Sequence, residues 1–89
     1  MAKTFKLQVV TPEKQHLSED VHFVALPGLV GEFGVLPDHA PLLAALKEGV
    51  MRVGQGSEVH HYRLGGGYAE VGEGAVIVLA ESLEPVGQK

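Results

Sequence analysis

Apolar and polar residues alternate one for one in short stretches of this chain, and glycine or proline closes each stretch. Phe5, Leu7 and Val9 alternate with Lys6 and Gln8, the period of a strand with one face buried. Thr11-Pro12 ends that run. A second, VHFVAL, begins at Val21, with His22 between Val21 and Phe23. GVMRV at 49–53 and EVHHYRL at 58–64 flank Gly54–Ser57, a hairpin connection. GYAEV at 67–71 and AVIVLAE at 75–81 flank Gly72–Gly74, another. APLLAALKEG reads as a short strand-like or irregular segment. Strands at this spacing predict an all-β fold, an antiparallel sandwich or barrel.

Composition strengthens that reading. Twelve glycines and five prolines interrupt any helical period, and these are the two poorest helix formers. With 89 residues the chain is expected to form one domain, burying roughly 60–65% of the surface its unfolded form exposes. No cysteine is present, so no disulfide reinforces that thin core. MAKTFKLQVV lacks the apolar stretch of a signal peptide. The longest apolar run, AVIVLA, falls far short of the roughly 20 residues of a membrane span. Direct membrane insertion is not expected. The net charge is −4 and the basic residues are scattered without stacking aromatics, which argues against nucleic-acid binding.

Catalytic patterns are missing. Of five histidines, His60 and His61 are adjacent on a strand and point to opposite faces, and the others lie in separate segments. No metal-binding spacing appears, so no metal or other cofactor is expected. Ser18, Ser57 and Ser82 sit outside any nucleophile motif. The glycines of GLVGEFG do not follow the dinucleotide order, and Gly65–Gly67 suits a bulge or bend. No small-molecule substrate is implied. A carrier domain modified at Lys47 is the alternative reading, although AALKEG lacks the surroundings of a modified lysine.

The stretch GEFGVLPDHAPLL at 31–43 stands apart. Pro37 and Pro41 fix φ near −65° and bias Leu36 and Ala40 toward extended backbone. A segment stiffened in advance loses little entropy on binding. Phe33, Val35 and Leu36 supply apolar area, and Glu32, Asp38 and His39 supply polar contacts. The stretch is therefore either a docking surface or a turn whose Val35, Leu36, Leu42 and Leu43 pack into the core.

In order along the chain, KLQVVTPEK, VALPGLVGEFGVLPDHAPLLAALKEGVMRV, GGGYAEV and VIVLAE resemble the N-terminal domain of the epsilon subunit of F-type ATP synthases, from about residue 3 to 81. The resemblance implies a β-sandwich of about ten short strands filling residues 1–89. It implies a non-catalytic rotor subunit of the central stalk, peripheral to the cytoplasmic face of an energy-transducing membrane. Its partners would be the gamma subunit and the c-ring, and its role would be to couple proton flow to ATP synthesis. Carried over by position, Gly31, Glu32 and Phe33 would face the c-ring loops, and His39, Pro41 and Leu42 would face gamma. Asp38 stands where the family commonly has glycine. The sequence stops at LEPVGQK, where the family usually continues into a regulatory helical hairpin, so the resemblance carries no inhibitory domain.

Overall fold

The computed structural model describes residues 3–86 and arranges them as eight strands without a helix. They are β1 (Phe5–Val10), β2 (Gln15–Val21), β3 (Phe23–Pro27), β4 (Glu32–Val35), β5 (Leu42–Gln55), β6 (Glu58–Gly72), β7 (Ala75–Ala80) and β8 (Leu83–Pro85). Along the sheet the order is β2-β1-β7-β6-β5-β3-β4, and β8 joins β6. Every pairing is antiparallel except that of β1 with β7.

The open sheet folds over on itself. In a flat sheet β1 and β3 would lie roughly 19 Å apart, four strand spacings. Yet Leu7 and Val9 of β1 share one buried cluster with Val24 and Leu26 of β3. Met51, Leu64, Val76 and Val78 complete its centre. Each such side chain withdrawn from water contributes about 1.5–3 kcal/mol. This is the expected β-sandwich.

Eight strands replace the expected ten because β5 and β6 are long and serve both layers. They stay in one register from Leu42↔Val71 to Gln55↔Glu58. The inward-facing positions nevertheless exchange partway along. On β6, Leu64 is buried at an even position, whereas Ala69 and Val71 are buried at odd ones; on β5, Leu46 gives way to Met51 and Val53. The exchange coincides with Gly66 (φ 99°) and Gly67 (φ 142°). Side-chain-bearing residues rarely adopt such backbone, which explains the glycine run. Residues 42–49 of APLLAALKEG are thus the first part of β5.

β2 escaped the sequence reading because QHLSEDV has no alternation. It is an edge strand and buries only Val21. The run from Val21 also differs from expectation, since Val24, Ala25, Leu26 and Pro27 are all buried. Lys47 lies in the middle of β5 rather than at a hairpin tip, which removes the structural premise of the carrier-domain alternative.

Candidate docking surface

Gly31–Phe33 and His39–Leu42 flank opposite ends of β4. At one end, Gly28–Gly31 form the β3–β4 turn, closed by Gly31 N–H donating to Gly28 O at 3.2 Å. Leu29 and Val30 project from its tip, Val30 fully exposed. Glu32 is exposed and faces Arg52 across 3.3 Å. Phe33 is half-buried against the core, leaving Gly31 and Glu32 as the exposed members of that trio.

At the other end, His39 N–H donates to Leu36 O at 3.2 Å, closing a turn over Pro37 and Asp38. Proline at the second position and a positive φ at the third (Asp38, 70°) match a type II turn. That geometry favours glycine at position 38, which accounts for the glycine common there in the family the chain resembles. His39, Ala40 and Pro41 are exposed, and His39 Nδ1 lies 2.7 Å from Ala40 O. Together with Asp38, Glu73 and Gly74 they line an open groove.

The choice between docking and packing is resolved residue by residue. Val35 is buried, but Leu36 is 62%, Leu42 39% and Leu43 70% exposed. Three of the four apolar side chains therefore remain outside the core.

Leu43 belongs to a larger feature that the sequence reading missed. One row of ladder partners crosses four strands as Ala45, Tyr68, Leu79 and Val10. Tyr68 is 58% and Leu79 52% exposed. The next row on the same face runs Leu43, Glu70, Ile77 and Gln8. Leu29 N–H donates to Ala45 O at 2.9 Å, so the Leu29–Val30 tip borders this face. The result is an outward face roughly 14 Å wide, three strand spacings, that carries Tyr68, Leu79, Ile77 and Leu43 around the exposed Glu70; exposed apolar groups clustered in this way mark interaction sites. The available signal was AVIVLA itself: a strand apolar on both faces calls for cover on both.

The histidines form no comparable site. His60 and His61 do lie in different rows, opposite Val53 and Arg52 respectively. Among the described residues no group of three or more metal-ligating side chains comes together. No helix among them is long and apolar enough to cross a membrane.

Residues 4–86 match the family described as ATP synthase, Delta/Epsilon chain, beta-sandwich domain. The ATP synthase epsilon chain of Desulforamulus reducens is 48% identical over 88 residues, covering 99% of this chain and 67% of that protein. The epsilon chain of Nitratidesulfovibrio vulgaris strain DP4 is 49% identical over 84 residues, covering 94% of this chain and 63% of that one. This chain therefore spans about two thirds of the length of these relatives. A chain in the Euglena gracilis mitochondrial ATP synthase, solved as OSCP/F1/c-ring in rotational state 1, superposes with a TM-score of 0.88 at 26% identity, over 92% of this chain and 53% of that chain. A chain of the Tetrahymena thermophila mitochondrial ATP synthase central stalk/c-ring shares the fold with a TM-score of 0.79 at 17% identity, over 92% of this chain and 66% of that chain.

Proposed function

This chain belongs to the ATP synthase delta/epsilon-chain β-sandwich family, and we propose that it serves as a non-catalytic part of the central stalk, joining the gamma subunit to the c-ring. In this role it couples proton flow to ATP synthesis without itself making or breaking a bond. It is peripheral, held at the cytoplasmic face of the energy-transducing membrane through its partners.

The observation that carries this reading is the uncovered apolar face of β5, β6, β7 and β1. Tyr68, Leu79 and Leu43 occupy strand positions that would be polar if the face met only water. A rigid sheet pays little entropy to dock them, and aromatic and aliphatic anchors of this kind dominate interface energies. We assign this face, with His39, Pro41 and Leu42 at its margin, to gamma. Gly31 and Glu32, at the start of β4, are assigned to the polar loops of the c-ring, with Phe33 fixing their turn from beneath.

The test is retention of the chain by immobilised gamma subunit of the same enzyme. The wild type is expected to be retained, and Leu79→Glu and Tyr68→Glu to weaken retention at least ten-fold while unfolding at the wild-type temperature. Failure of the wild type to bind, or undiminished binding by both variants, would overturn the assignment.

A further inference from the structure

The corner between β2 and β3 meets the tip of the β5–β6 hairpin at His22. Its backbone N–H donates to Gly54 O at 2.8 Å, and its ring Nε2 accepts from Gly56 N–H at 2.8 Å. Gln55 adds a third tie, its Nε2 donating to Glu19 Oε1 at 2.7 Å. The β3–β5 ladder already reaches Phe23↔Gly54, and these contacts extend that junction to the end of β2 and the hairpin tip.

A backbone amide can only donate, so Nε2 must present its lone pair and the ring proton must sit on Nδ1. Nδ1 is buried and has no hydrogen-bond partner among the described residues. A second proton would turn Nε2 into a donor aimed at another donor. The nearby carboxylates are already engaged: Glu19 by Gln55, Asp20 by Lys6 at 3.7 Å, and Asp38 by Lys3 at 2.8 Å. Lys3 and Asp38 line the same surface recess as His22, and Gly54–Gly56 carry no side-chain charge.

We propose that His22 is an acid-releasable clasp, its Nε2 accepting from the Gly56 amide at the β5–β6 hairpin tip only while the ring is neutral with the proton on Nδ1. A proton on Nε2 and the Gly56 bond exclude one another, so the bond is favoured as pH rises and lost as it falls.

The experiment is NMR on the ¹⁵N-labelled chain. At pH 8, long-range ring correlations are expected to show His22 protonated at Nδ1. Between pH 8 and 5, the protection factor of the Gly56 amide should fall at least ten-fold, with the midpoint of His22, while amides of β7 hold theirs. His22→Gln offers an acceptor without a titrating ring and should abolish that response. A ring protonated at Nε2 at pH 8, a Gly56 amide indifferent to His22 titration, or an unchanged response in His22→Gln would each overturn the clasp.

Discussion

Lys3 Nζ donates to Asp38 Oδ2 across 2.8 Å, tying the segment ahead of β1 to the turn that follows β4. The hydrogen bond, and then the negative charge of Asp38, raise the Lys3 ammonium pKa above its ordinary value. Both side chains are largely in water, so salt screens the pair. Asp38 meanwhile holds a φ of 70°, which glycine adopts without strain. Asp38→Gly therefore loses a weak pair and relieves the backbone, and its urea midpoint should stay close to wild type. Asp38→Val sets a β-branched residue in the same turn and should cost about 1–3 kcal/mol.

Gly67 tolerates no side chain. A Cβ there would collide with the Leu79 carbonyl of β7, and the φ of 142° disfavours any other residue. Gly67→Ala should destabilise by more than about 3 kcal/mol, combining strain with a broken ladder. Chemical denaturation measures it. A loss below about 1 kcal/mol would mean the bend yields easily.

Leu7 and Leu79 are matched in size and opposite in placement. Leu7 is buried and Leu79 half-exposed. Leu7→Ala should cost about 2–5 kcal/mol through the cavity it leaves. Leu79→Ser should change stability by no more than about 0.5 kcal/mol, as for surface positions generally. Thermal melts of the two variants separate a packing residue from one reserved for a partner.

Glu32 is held by Arg52 in an exposed pair, worth about 0–1 kcal/mol. Glu32→Lys is expected to leave the fold intact but lower proton-coupled ATP synthesis in the assembled enzyme. Unchanged assembly and unchanged synthesis would remove Glu32 from the proposed c-ring contact.

Burial, and then the charge of Glu19, push the Tyr62 phenol above its usual value near 10. The folded state thus holds this proton more tightly than the unfolded chain. The associated stability is fully present below about pH 10 and is lost as pH rises through the elevated folded value. An ultraviolet titration of Tyr68→Phe, which leaves Tyr62 as the remaining tyrosine, should show ionisation above the model-peptide range and a return toward it in urea.

The β class was legible because Phe5, Leu7 and Val9 alternate and glycines mark the hairpins. The continuity of β5 was hidden because residues 42–48 have no strand alternation; only pairing with β6 makes them a strand. β2 was hidden for the opposite reason, since an edge strand with one buried residue leaves no period to read. At the candidate site, the two prolines revealed the stiffness of 37–41. The partnership of Tyr68 with Leu79 and Ala45 depends on register between segments distant in sequence, which no local pattern encodes.

The bend at Gly66 and Gly67 also bears on how the domain carries load. Because β5 and β6 continue from one slab of the sandwich into the other, a twisting force applied to either slab reaches the second through unbroken covalent chain. Slippage between halves would require stretching two backbones, not merely parting a greasy seam.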